Sequence, residues 1–93
     1  MQKMTRSRIA LFPGSFDPIT VGHESVIRRA LPMFDKIIVG VGVNSEKSAM
    51  LPSEKRVEMI KKVFADEPKV EVVTYSGLTV DFCKANNISF ILR

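Results

Sequence analysis

The feature that most constrains this chain is a strand-to-helix junction, Leu11-Phe12-Pro13-Gly14-Ser15-Phe16-Asp17-Pro18-Ile19-Thr20-Val21-Gly22-His23. An apolar run from Ile9 to Phe12 enters it, and an amphipathic segment from His23 to Leu31 leaves it. Strand, glycine-bearing loop and helix in that order build phosphate sites in α/β proteins. The N–H groups at the helix start lack intrahelical acceptors, and the helix dipole favours an anion. A histidine in the first helical turn, shortly after the hydroxyl-bearing Thr20, adds a side chain that donates a hydrogen bond even when neutral.

The remaining chain repeats the same alternation. Arg8 to Phe12 reads as a short buried strand, and Pro13 to Val21 as loop, because Gly14 and two prolines oppose regular structure. A helix starts near Gly22, with Val26, Ile27, Ala30 and Leu31 on one face and Glu24, Arg28 and Arg29 on a solvated one. Pro32 marks its end or a kink, with Met33 and Phe34 still pointing inward. Lys36 to Val43 is β-branched and two-sided, as a strand covered on both faces is, with Gly40 and Gly42 sharing one face. Asn44 to Pro52 is a polar loop carrying Lys47. Ser53 caps a second helix with the stripe Val57, Ile60, Val63 and Phe64, which ends at Asp66-Glu67-Pro68. Lys69 to Tyr75 is a third strand near the sheet edge, and Ser76-Gly77 is a turn. Leu78 to Ala85 is a short helix with Val80, Phe82 and Cys83 inward; Asn86-Asn87 supplies a left-handed exit. Ile88 to Leu92 is a fourth strand and Arg93 ends the chain.

The order βαβαβαβ implies an α/β fold, a Rossmann-like doubly wound parallel sheet with helices on both faces. In such sheets ligands sit beyond the C-terminal strand ends. That rim gathers Gly14–His23, Asn44–Lys47, Ser76–Thr79 and Arg93.

At 93 residues the chain holds one domain with a modest core. The net charge of +4 suits an anionic small ligand and is too weak to imply nucleic acid. Lys3, Arg6 and Arg8 read as a solvated basic lead-in. Cys83 is the only cysteine, so no intrachain disulfide forms, and it behaves as a small buried hydrophobe. No apolar run reaches membrane-spanning length, and Ile9–Phe12 is too short for a signal peptide, so a cytoplasmic location is expected.

No G-x-G-x-x-G follows the first strand and no P-loop occurs. The loop Pro13-Gly14-Ser15-Phe16-Asp17-Pro18-Ile19-Thr20 with Gly22-His23 instead resembles the T/H-x-G-H nucleotidyltransferase superfamily. More narrowly, it resembles the phosphopantetheine adenylyltransferases of bacterial coenzyme A synthesis. Met33-Phe34-Asp35, Lys47, Glu54-Lys55-Arg56-Val57 and Ile91-Leu92-Arg93 extend the match over nearly the whole chain. Residues 1–93 are then one nucleotidyltransferase-like domain portion.

The resemblance implies transfer of AMP from ATP to 4′-phosphopantetheine, giving dephospho-coenzyme A and pyrophosphate. One phosphate attacks the α-phosphorus in line, without a covalent intermediate. By resemblance, His23 binds the ATP phosphates and stabilises the transition state, and Gly22 leaves room for the nucleotide. Ser15 contacts both substrates, where most relatives carry threonine, and the Phe16 N–H contacts ATP. Lys47 and Arg93 reach the acceptor phosphate, while the Thr79 backbone, beside Leu78, holds the pantetheine arm. Mg²⁺ accompanies ATP, no residue here is read as a metal ligand, and family members assemble as hexamers. Asp17 is read as an Asx-turn former, since a carboxylate facing phosphates would repel them.

The family pattern continues past Arg93 with Gly-Leu-Arg, further ATP contacts, a fifth strand and C-terminal helices. The chain is therefore expected to be the N-terminal part of the usual domain, inactive alone and prone to associate through its uncovered sheet edge, the alternative being a natural short chain that folds by pairing with another copy. The alternatives are another nucleotidyltransferase of the superfamily, which more often carries His at the position of Thr20, or a ligand-binding fragment without turnover.

Overall fold

The computed structural model describes residues 8–43 and 49–92. Four strands, β1 (Ile9–Gly14), β2 (Lys36–Gly42), β3 (Val70–Tyr75) and β4 (Phe90–Ile91), form one sheet in the order β3-β2-β1-β4. All three pairings are parallel, with Leu11 opposite Ile38 and Ile91, and Val39 opposite Val72. Three helices connect them: α1 (Val21–Ala30), α2 (Ser53–Val63) and α3 (Thr79–Ala85).

The apolar residues of β1 and β2 serve both faces, because successive side chains on a strand alternate. Ala10, Phe12, Ile37, Val39 and Val41 pack with Ile27 and Ala30 of α1, Ile60 of α2 and nearby Phe64. Leu11 and Ile38 point the other way, onto Cys83 of α3 and Ile88. Helices therefore cover both faces, as the alternation of elements predicts. Burial pushes the Cys83 thiol up from its ordinary value, consistent with a small hydrophobe in that second core.

The strand order shows where a ligand belongs. From β1 the chain steps outward to β2 and β3 on one side, then returns across the sheet to place β4 on the other side of β1. The order thus reverses between β1 and β4, and the C-terminal ends of those strands open a crevice there.

Several local expectations are corrected. β1 does not stop at Phe12 but continues through Pro13 and Gly14, opposite Gly40 and Val41. Strand β4 pairs only with Ala10 and Leu11, so Pro13 lies where that side of β1 has no partner strand and its missing N–H costs little. Ser53 is the first residue of α2 rather than its cap; Pro52 stands at the cap position. Pro32 sets a 3₁₀ turn over Leu31–Met33, which leaves Met33 57% exposed while Phe34 is buried. Strand β4 begins at Phe90, not Ile88, because the Ile88 N–H is spent on the Cys83 carbonyl at 3.0 Å, closing the left-handed exit through Asn87. Helix α3 meets the sheet through Phe82 and Cys83, so Val80 is 57% exposed rather than inward.

Two arginines read as solvated are structural. The Arg8 N–H donates to the Asp35 carboxylate at 2.7 Å, its Nε donates to the Met33 carbonyl at 2.9 Å, and its guanidinium lies over Phe34 and Phe90. Arg28 donates to Glu24 at 2.8 Å and to the Val63 carbonyl at 3.0 Å, joining α1 to the end of α2 across the Phe64 ring. The Glu24 hydrogen bond raises the Arg28 guanidinium further above its ordinary value. Lys3 and Arg6 lie outside the described residues.

Gly40 is where close packing can be tested. A β-carbon there would stand 2.8 Å from Leu11 Cδ1 and 3.0 Å from the Tyr75 ring. Leu11 is fully buried and cannot move aside freely. Gly40→Ala is expected to lower stability by about 1–3 kcal/mol, as overpacking does, read from urea denaturation midpoints.

Candidate functional site

Helix α1 begins with a reciprocal cap in which a histidine replaces the usual carboxylate. The His23 N–H donates to Thr20 Oγ1 at 3.3 Å, and the Thr20 N–H donates to His23 Nδ1 at 2.9 Å. Thr20 Oγ1 also lies 3.1 Å from Nδ1. A backbone N–H can only donate, so Nδ1 must be the unprotonated nitrogen and the neutral ring carries its proton on Nε2. The cap thus fixes the tautomer as well as the helix start, and leaves Nε2–H as a donor.

Aromatic rings hold the imidazole in place. Phe16 packs edge-on with a centroid distance of 4.9 Å to His23, Phe12 stands 6.1 Å away, and the two phenyl rings are 5.5 Å apart. Phe16 is buried and takes φ of 49°, a left-handed conformation that bulky residues rarely adopt. Gly14 makes room for this ring, since a β-carbon there would stand 3.1 Å from Phe16 Cε2.

Beside the ring lies a cleft of about 540 Å³ lined by Phe12, Pro13, Thr20, Gly22, His23 and Leu92. Its walls come from the end of β1, the start of α1 and the residue after β4, which is the crevice at the strand-order reversal. Within α1 the His23 and Glu24 N–H groups are taken by Thr20, while Val21 and Gly22 N–H have no acceptor among the described residues. The cleft thus meets the N-terminus of α1 and the His23 ring, and a helix N-terminus favours an anion. A larger groove of about 670 Å³ lies along α2 and Thr74, bordered by Glu54, Glu58, Lys61 and Lys62. Its mixed charges are those of a solvated helix face.

The predicted site residues are distributed unevenly. Ser15, Phe16 and His23 share the β1–α1 junction, with Ser15 exposed. Thr79 starts α3 at the C-terminal end of β3, two strands from β1, and its hydroxyl is 2.9 Å from Tyr75 Oη. It is on the same rim but does not line the cleft. Lys47 and Arg93 lie outside the described residues. Asp17 is not a local turn former. Its carboxylate reaches across to accept from the Met50 and Leu51 N–H groups, at 2.5 and 2.8 Å, and is thereby committed to those amides.

Sequence reasoning missed Arg56, which is 2% exposed. Its donors reach the carbonyls of Leu51 (3.0 Å), Ser15 (3.0 Å) and Gly42 (3.4 Å). A signal existed, since Arg56 falls on the apolar stripe of α2, next to Val57 and four residues before Ile60. The aromatic packing of Phe16 on His23 was also missed, because only tertiary folding brings the two rings together.

Residues 11–93 match the model of the cytidylyltransferase-like family. A phosphopantetheine adenylyltransferase of Flavobacterium johnsoniae is 55% identical over 86 residues, covering 92% of this chain and 57% of that protein. One from Leptospira biflexa is 53% identical over 85 residues, covering 91% of this chain and 53% of its own length. The chain thus spans a little over half the length of the curated relatives it matches. Among solved structures, the NadR protein in complex with NAD and AMP-PNP superposes with a TM-score of 0.67 at 20% identity, over 96% of this chain and 30% of that one. That likeness shows a shared fold. Among the described residues no helix is long and apolar enough to cross a membrane.

The assigned tautomer is directly measurable. Long-range ¹H–¹⁵N spectra of the neutral form are expected to show His23 protonated at Nε2 with Nδ1 as acceptor. Thr20→Val is expected to cost about 1 kcal/mol through loss of the cap hydroxyl.

Proposed function

The chain belongs to the cytidylyltransferase-like family, and from that premise we propose that the protein moves AMP from ATP to 4′-phosphopantetheine, releasing pyrophosphate. The observation that carries this reading is the His23 Nε2–H, fixed by Thr20 at the N-terminus of α1 within the switch-point cleft. The substrates follow from the name shared by the relatives, phosphopantetheine adenylyltransferase.

In this reading the acceptor phosphate oxygen attacks the α-phosphorus of ATP. A new P–O bond forms as the bond to the bridging oxygen breaks, and pyrophosphate leaves with that electron pair. Negative charge spread over the α-phosphoryl oxygens is met by Nε2–H of His23 and the open amides at the start of α1. Fixed donors need no reorganisation during the step, which is where such sites gain most. A neutral histidine whose second nitrogen is already engaged serves as a hydrogen-bond donor here rather than as a base.

Ser15 and the Phe16 N–H meet the phosphates on the loop, and Lys47 and Arg93 hold the acceptor phosphate. The Thr79 backbone, with the exposed Leu78, lies along the pantetheine arm. Asp17 would repel these anions if it faced them; its bonds to Met50 and Leu51 keep its charge occupied elsewhere. Among the described residues no group of three or more His, Cys, Asp or Glu could hold a metal ion. In this reading magnesium accompanies ATP as the Mg–ATP substrate. The same reading makes residues 1–93 one nucleotidyltransferase-like portion of a cytoplasmic homo-oligomer.

The full-length gene product, incubated with ATP, Mg²⁺ and 4′-phosphopantetheine, is expected to release pyrophosphate. His23→Ala should lower kcat by about 10²–10³-fold, as loss of one oxyanion donor does. A folded protein that releases no pyrophosphate with this acceptor, or releases it with a different one, overturns the substrate assignment.

A further inference from the structure

We infer that Arg56 is a positioning residue for His23, acting through a closed hydrogen-bonded ring that runs Ser15–Asp17–Leu51–Arg56 and back to Ser15. The inference deepens the adenylyltransferase reading and rests on it for its consequences in turnover.

Leu51 is engaged at both ends of its peptide units. Its N–H donates to the Asp17 carboxylate at 2.8 Å, and its carbonyl accepts from Arg56 Nε at 3.0 Å. A second guanidinium nitrogen donates to the Ser15 carbonyl at 3.0 Å, two residues before Asp17, which completes the ring. That same nitrogen lies 3.4 Å from the Gly42 carbonyl at the end of β2. One buried side chain therefore joins three separate segments: the loop after β1, the end of β2 and the lead into α2. Burying a guanidinium is costly unless its donors are used, so a folded chain retains Arg56 here only with these segments assembled.

Phe16 is the residue enclosed by this ring, since Ser15 and Asp17 flank it directly. Both neighbours are tied by bonds from the second helix and its approach, and Phe16 is held at φ of 49° between them. A left-handed bulky residue costs on the order of 1–3 kcal/mol and persists only where its surroundings impose it. The conformation turns the Phe16 ring into the core, edge-on to His23 at 4.9 Å. Arg56 thus governs the imidazole without touching it, through Ser15, Asp17 and the Phe16 ring. Lysine keeps the charge but cannot replace the part, because one ammonium lacks the planar fork that reaches several carbonyls together.

The test is Arg56→Lys in the full-length gene product, with Asp17→Asn opening the ring from its other side. Amide hydrogen exchange at Met50, Leu51, residues 14–17, Ile19 and Thr20 is expected to rise by about tenfold or more, while Val39 and Val41 in β2 stay within about twofold. The His23 ¹⁵N signals should shift as the ring loses its fixed setting. The kcat for AMP transfer should fall by about 10- to 100-fold with a smaller change in the KM for ATP. Unchanged loop exchange and unchanged His23 signals in both variants overturn the proposal, as does a uniform rise that includes Val39 and Val41. If Arg56→Lys does not fold, Asp17→Asn decides by the same criteria. Should the parent protein release no pyrophosphate, the adenylyltransferase reading fails, while exchange and ¹⁵N signals still judge the ring.

Discussion

A strand that is apolar on both faces cannot rest against a single layer. Leu11 and Phe12, and likewise Ile37 and Ile38, are adjacent residues that point to opposite sides and are all buried. Parallel neighbours must be linked by crossovers, and the crossover helices are what cover such strands. Placing α1 and α2 over one face and α3 over the other requires the chain to reverse direction across the sheet, and the reversal falls beside β1. The cleft at His23 is therefore a product of core packing. Its position follows from which faces had to be covered.

Within that frame one backbone donor has a disproportionate effect. The Thr20 N–H would ordinarily be satisfied by a Glu or Gln three residues on. Here the acceptor is His23 Nδ1, so the interaction that starts the helix also assigns the ring proton to the opposite nitrogen. Local structure and site chemistry share the same 2.9 Å contact. The Phe12 and Phe16 rings then restrict the imidazole by edge contact, and among the described residues nothing accepts from its Nε2.

Arginines form the joints between elements. Arg8 ties the start of β1 to the turn before β2, Arg28 ties α1 to the end of α2, and Arg56 ties the loops at the opposite rim. Each donates to main-chain carbonyls, which are left over where helices and strands end. A long stem that packs on apolar surface and a fork of several donors suit that position better than any other cation.

Composition, hydrophobic period and the spacing of glycine and proline were enough to determine four strands, three helices, a parallel α/β sheet and the strand-to-helix junction at Pro13–His23. Those signals are local: each depends on residues within a few positions of one another. Tertiary structure alone decided the rest. The strand order that places the cleft between β1 and β4, the edge contact of Phe16 on His23, and the turning of Asp17 toward Met50 and Leu51 all join residues distant in sequence or direction. Arg56 shows why. Its helical position is legible on the stripe with Val57 and Ile60, but its three carbonyls meet it only after β1, β2 and α2 have packed, and a carbonyl leaves no mark in side-chain type.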